Sequence, residues 1–268
     1  MTKLSVITND LHFDYNEKTQ VFEGHNLQLE IEESQANKLY GIIGPSGTGK
    51  TTLISILGGQ LKPTKGNIFI CGTDIYAVND LVRRQLITMQ MQTATSLRGE
   101  LRYNMLFGLP EDVQTNGVDG VVYDDDYLIE VLQKVGLWNL FKDKDGLQTL
   151  IGEGGLNLSG GQRQRLNFAG LYLRAKHFKA KLILIDEPTS SLDEISEKAI
   201  TGMIKELSGF ALTLVVAHRL KTLDEAVAIL DSSLITSSKE MKFYTRTELL
   251  KNSQYYRDLM EGKAQLDE

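Results

Sequence analysis

The sequence predicts an α/β fold with a mostly parallel sheet, an N-terminal antiparallel β portion and a helical middle stretch. Three observations carry that expectation. Leu4 to Ile31 alternates apolar and polar residues around a turn-like Asn16 to Thr19, as antiparallel strands with one buried face do. Leu39 to Ile43 is a short apolar run that opens into a glycine-rich loop and then into Thr51 to Leu57, which has helical character. Lys181 to Ile185 and Leu212 to Ala217 are two further short apolar runs, and strands alternating with helices indicate βαβ units.

The remaining elements follow in chain order. Asn67 to Cys71 reads as another strand, with Cys71 a small buried hydrophobe in it. Leu109 to Asp126 holds Pro, Gly, Asn and several aspartates, so a solvated loop is expected there, with Asp124 to Asp126 as wet surface or a helix start. Tyr127 to Leu140 places apolar residues at helical spacing. The 268 residues suffice for one large α/β domain. Their 41% hydrophobic and 24% charged content is that of a globular chain. Lys plus Arg is 29 against 35 acids, a net charge of −6 with pI near 5.4, which argues against broad nucleic-acid binding. No uncharged stretch approaches the roughly 18 apolar residues of a membrane span, and Met1 to Asp10 lacks the apolar core of a secretory signal. The expected location is the cytoplasmic side. One cysteine excludes an internal disulfide, and four scattered histidines do not suggest zinc.

Gly44-Pro45-Ser46-Gly47-Thr48-Gly49-Lys50-Thr51 fits the phosphate-binding loop pattern, with a strand before it and a helix after it. Glycines let the backbone wrap a polyphosphate, and the helix start adds positive potential. Lys50 is expected to reach the β and γ phosphates from a solvent-facing loop, Thr51 to ligate Mg²⁺, and Thr52 to complete the cradle. Leu182 to Ile185 then delivers Asp186 and Glu187 to the carboxyl end of a buried strand, the usual ligand edge of an open α/β sheet. Asp186 suits the metal and Glu187 the base that activates a water.

Between these signals stands Leu158-Ser159-Gly160-Gly161-Gln162, followed by Arg163-Gln164-Arg165. That run resembles the signature of the ATP-binding cassette family, and the likeness extends over about Leu4 to Leu259. The resemblance implies a single domain over residues 1–268, with a P-loop NTPase core and a lid loop and helical subdomain inserted at about 93–175. It implies that Tyr15 stacks on adenine, where a plain strand aromatic is the alternative. Gln92 looks like the lid glutamine that senses Mg²⁺, favoured over Gln90 by counting back from Leu101-Arg102-Tyr103-Asn104. His218 looks like the switch histidine on the γ phosphate, and Asp193 like the aspartate linking two protomers. Ser159, Gly160, Gly161 and Gln162 are expected to face the nucleotide of a second protomer packed head to tail, since nothing local calls for those glycines; capping a helix is the alternative role for Ser159.

Leu97 to Asn104 and Thr149 to Gly155 look like exporter-type cassettes, whose Gly-Glu stretch meets the coupling helices of a membrane domain. The implied partners are a second ATPase protomer, identical or not, and separate transmembrane subunits, with no nucleic acid. The implied ligands are ATP and Mg²⁺. A non-transport cassette on ribosomes or DNA is the alternative function. Gly170 where the family has arginine, Asn167, Phe168 and the missing proline after Gln92 depart from the family pattern.

Overall fold

A computed structural model describes residues 3–16, 19–93, 96–110, 123–152, 157–237 and 239–263. The alternating N-terminal segment forms two long strands, β1 (Lys3–Asn16) and β2 (Thr19–Glu32), paired antiparallel with Val6 opposite Leu29. Their apolar positions fall on one face, which is buried, as a two-residue period requires. The run at 39–43 is β3 (Leu39–Ile43), and α1 (Lys50–Leu57) follows the glycine-rich loop. Next come β4 (Lys65–Ile70), β5 (Thr73–Asp74), α2 (Asp80–Leu86) and β6 (Ile87–Gln90). Cys71 lies one residue past β4, half-buried at φ +49, so it belongs to a turn and not to the strand.

The middle of the chain carries β7 (Gly99–Glu100), α3 (Leu101–Leu106), α4 (Asp125–Lys134), α5 (Trp138–Phe141) and β8 (Leu150–Ile151). The helical stretch expected at 127–140 is thus two helices, separated where Gly136 takes φ +67. Asp124 caps α4 by accepting from the Tyr127 N–H at 2.8 Å, the helix-start role expected of that acidic run. β7 pairs antiparallel with β8, and Asn104 fixes the approach to β7 by bonding both the N–H and the carbonyl of Leu97. Most of the expected loop at 109–126, and residues 153–156 of the Thr149 to Gly155 stretch, lie outside the described residues.

The last part alternates α6 (Gly160–Phe178), β9 (Leu182–Asp186), α7 (Glu194–Ser208), β10 (Leu212–Val216) and β11 (Ala228–Asp231), followed by β12 (Glu240–Met241), α8 (Arg246–Asn252) and α9 (Gln254–Met260). The parallel sheet has the order β11-β3-β10-β9-β6, and the antiparallel sheet β12-β2-β1-β4-β5, where β12 joins β2 in parallel. β3, β9 and β10 are buried at every position, so alternate side chains feed two cores. Ile43, Ile183, Ile185 and Val215 pack with α6 and α7, while Ile42, Leu184, Leu214 and Val216 pack with α1 and the antiparallel sheet. The register sets Val216 beside both Ile42 and Asp186, so the carboxyl ends of β3, β10 and β9 stand side by side. No helix among the described residues is long and apolar enough to cross a membrane.

Candidate functional site

Because those three strands end at one edge, the loops that leave them converge on a cleft of about 880 Å³. Ser46, Gly47, Gly49, Lys50, Thr51 and Thr52 line one wall, Glu187 and Thr189 to Ser191 a second, and Ala217 to Arg219 a third. β6 brings Gln92 to the same edge, since Gln90 pairs with Ile185 in the neighbouring strand. Gln90 itself ends that strand, buried, and does not line the cleft.

The phosphate loop is held by its own groups. Lys50 is the first residue of α1 and is 8% exposed, which corrects the expectation of a solvent-facing lysine. Its ammonium donates to the carbonyls of Gly44 and Pro45, both at 2.8 Å. Burial draws its pKa down from the ordinary lysine value, and the carboxylates of Glu187, Asp186 and Asp231 partly restore it. Gly49 begins the helix at φ +87, where a Cβ would lie 2.7 Å from a Val21 methyl carbon.

Asp186 is fully buried, and neither of its carboxylate oxygens has a hydrogen-bond partner. Burial pushes its pKa above the ordinary carboxyl value, and the neighbouring Thr51 hydroxyl and Lys50 ammonium offset this in part. A buried carboxylate left bare is costly unless a cation completes it. Thr51, beside it, and Gln92, on the same edge of the sheet, carry the further oxygen atoms that could join it around a hard cation such as Mg²⁺.

Glu187 follows Asp186 in the left-handed region at φ +49, a conformation that costs a non-glycine residue roughly 1–2 kcal/mol. Three contacts hold it there. Its N–H donates to Val216 O at 3.0 Å, while its carbonyl accepts from Gln164 Nε2 at 2.6 Å and from Ser190 Oγ at 3.4 Å. The side chain is held as well, with Gln92 Nε2 donating to Oε2 at 2.6 Å and His218 Nε2 on Oε1. Gln164 was not singled out in the sequence. Its position two residues beyond Gln162 on α6 was the available signal, but a buried amide bonded to a distant carbonyl leaves no local pattern.

Tyr15 is 55% exposed at the rim of the cleft, edge-on to Phe13 with ring centres 4.9 Å apart, and its hydroxyl meets Thr52 Oγ1 at 3.0 Å. The remaining sequence candidates do not line this cleft. Ser159 caps α6 in a capping box: its hydroxyl accepts from Gln162 N–H at 3.2 Å, and its own N–H donates to Gln162 Oε1 at 2.8 Å. Gly160 faces open space, but a Cβ on Gly161 would stand 2.9 Å from the Ser191 carbonyl. A local reason for one signature glycine therefore exists, contrary to expectation. Asp193 caps α7, accepting from Ser196 N–H at 2.9 Å, and that bond holds its pKa below the ordinary value. Gly170 leaves room for the Arg174 guanidinium, whose Nη1 donates to Phe107 O at 3.0 Å.

Comparison with known proteins gives this geometry a family. The chain is 32% identical over 263 residues to the Escherichia coli (strain K12) glutathione/L-cysteine transport system ATP-binding/permease protein CydC, covering 97% of this chain and 41% of that one. It is 33% identical over 233 residues to an ATP-dependent lipid A-core flippase of Burkholderia thailandensis, covering 86% and 36% respectively. The chain thus spans about two fifths of the length of the curated relatives it matches. A solved bacterial Atm1-family ABC exporter with ATP bound shares the fold, at TM-score 0.77 and 24% identity over 98% of this chain and 42% of that one. Residues 25–190 match the family described as ABC transporter, so the chain belongs to that family as one of its ATP-binding ATPase domains.

Proposed function

We propose that this chain is the ATP-hydrolysing part of a membrane exporter, turning over nucleotide in the cleft between the phosphate loop and Glu187. The observation that supports this most is that Glu187, beside the loop, has its carboxylate gripped from two sides by Gln92 and His218. In this reading Tyr15 stacks on adenine, the loop from Gly44 to Thr52 wraps the phosphates, and Lys50 exchanges its carbonyl partners for phosphate oxygens. Asp186, Thr51 and Gln92 would hold a Mg²⁺ arriving with ATP, which supplies charge neutralisation. Glu187 takes a proton from a water as its oxygen bonds to the γ phosphorus and the bond to the β–γ bridging oxygen breaks, releasing ADP and phosphate. General-base catalysis of this kind contributes about 10²–10⁴-fold. His218, touching Glu187, orients the base and stands where the γ phosphate would lie.

Ser159 to Gln162 and Asp193 do not line this cleft, and in this reading they serve the nucleotide of a second protomer packed head to tail. A groove of about 450 Å³ lined by residues such as Arg84, Gln90, Phe107 and Arg174 is the surface offered to a permease part, on this polypeptide or another, at the cytoplasmic face. ATP closes the pair and hydrolysis lets it part, so phosphate chemistry becomes movement.

Mixing two inactive variants tests the shared site. Lys50→Ala and Ser159→Arg should each lose hydrolysis, and partial activity should return on mixing, because one composite site of the mixed dimer is intact. Ser159→Arg also removes a cap worth about 1 kcal/mol, so its melting point is measured alongside. A Ser159→Arg variant that dimerises and hydrolyses ATP at the wild-type rate would contradict the proposal.

A further inference from the structure

We infer that Ser232 is a positioning residue for the phosphate loop: through Thr48 it secures the Pro45 carbonyl, so that Lys50 can leave that carbonyl for nucleotide while the loop keeps its shape. This rests on reading 44–52 as the nucleotide cradle. Nothing in the sequence pattern marks Ser232, which lies 184 residues from Thr48. The sheet brings the two together. β11 pairs with β3, placing Asp231 opposite Ile43, so the chain leaving β11 runs beside the start of the loop. Ser232 is 2% exposed, and a Cβ on Gly44 would lie 1.8 Å from its hydroxyl oxygen. Gly44, at φ +143, is what permits the approach.

The direction of the hydrogen bonds follows from counting protons. Thr48 Oγ1 is 2.8 Å from the Pro45 carbonyl, which can only accept, so the single Thr48 hydroxyl proton points there. Ser232 Oγ, 2.5 Å from Thr48 Oγ1, is then the donor of that pair. The result is a short chain, Ser232 to Thr48 to Pro45 O, ending on a carbonyl that also accepts from Lys50 at 2.8 Å. A lysine that moves to a phosphate abandons Pro45 O, and a half-buried carbonyl left without a partner opposes that move. Thr48 keeps the carbonyl satisfied, and Ser232 keeps the Thr48 proton aimed. The strut stands on fixed ground. Asp231 is 1% exposed, bonded to the Ser253 hydroxyl at the start of α9, and accepts from Ser233 N–H at 2.8 Å.

Calorimetric titration with MgATP, paired with thermal melting without nucleotide, tests the inference. Ser232→Ala should lower MgATP affinity about five- to tenfold, the worth of one intramolecular hydrogen bond, with melting shifted by only a few degrees. In turnover the loss should appear in KM, with kcat largely kept. Thr48→Val should lose a similar factor, Thr48→Ser should bind like wild type, and the double variant should be no worse than the weaker single one, because both act through one chain. Unchanged affinity in Ser232→Ala, or losses that multiply in the double variant, would overturn the inference. If Ser232→Ala does not fold, the comparison of Thr48→Val with Thr48→Ser decides: equal affinities overturn it. A wild-type chain that binds no MgATP would instead bring down the nucleotide reading, and this inference with it.

Discussion

The Tyr172–Glu206 cluster and Asp186, beneath the cleft, each hold a carboxylate against the packed interior, one at the surface and fully partnered, the other fully buried. Glu206 accepts from the Tyr172 hydroxyl at 2.5 Å and is salt-bridged to Lys176 at 2.9 Å and Lys134 at 3.4 Å. Both ammonium groups also lie over the Tyr172 ring, 5.4 and 5.5 Å from its centre. Burial alone would raise the Glu206 pKa, but these partners outweigh it and hold the carboxyl down at about 2. At Asp186, fully buried, burial outweighs the nearby Thr51 hydroxyl and Lys50 ammonium, and the carboxyl is pushed up. The first cluster is complete within the chain, whereas the Asp186 oxygens are left without a hydrogen-bond partner among the described residues, as the proposed cation role requires. The paired charge belongs to structure here, and the bare buried one is the group proposed to take part in chemistry.

Substitutions in the two places should therefore move stability and activity in opposite senses. Asp186→Asn should reduce hydrolysis at least about 100-fold, because the cation that balances the phosphates loses its carboxylate. The same change should raise the melting temperature of the nucleotide-free protein at pH 7 by a few degrees, about 1–2 kcal/mol, because it removes a bare charge. A carboxyl raised on folding binds its proton more tightly in the folded state, so the wild type loses stability as pH climbs from the unfolded value near 3.8 through the folded one. The melting advantage of the Asn variant should accordingly shrink on acidification and vanish below about pH 3.8. An advantage that stays constant with pH would break the comparison.

Tyr172→Phe should have the smaller effect and the reverse sign. Removing one hydroxyl from Glu206 should cost about 1 kcal/mol and a few degrees of melting temperature, since the lysines remain. ATP hydrolysis should be unchanged at saturating nucleotide. A loss of activity in this variant beyond its loss of folded protein would mean that the cluster is more than a structural clasp.

The difference between the two regions also governs what was legible in the sequence. The fold was readable where burial imposes a period: the alternation of Leu4 to Ile31 and the solid apolar runs at 39–43, 182–185 and 212–216 all became strands. The two-residue strands β5, β7, β8 and β12 were not, because so short a pairing leaves no periodic trace. Gly136 divides a stretch whose apolar spacing runs on across it, so the break at 135–137 was missed. Lys50, in the turn-to-helix stretch after β3, and Asp186 and Glu187, at the end of β9, announce themselves by a run of neighbours. Gln164, near the start of α6, and Ser232, just past β11, are tied to the site by hydrogen bonds to residues distant in the chain that only the folded protein creates.

Steady-state hydrolysis and MgATP binding by Glu187→Gln test the account most directly, because the amide keeps the size of the side chain and removes only its capacity as a base. The phosphate loop and Asp186 are untouched, so MgATP affinity should stay near that of the wild type while turnover falls by about 100-fold or more. The uncleaved nucleotide should also hold two protomers together in size-exclusion chromatography. A Glu187→Gln protein that turns over ATP at the wild-type rate would contradict the assignment of Glu187 as the base and the cleft chemistry built on it.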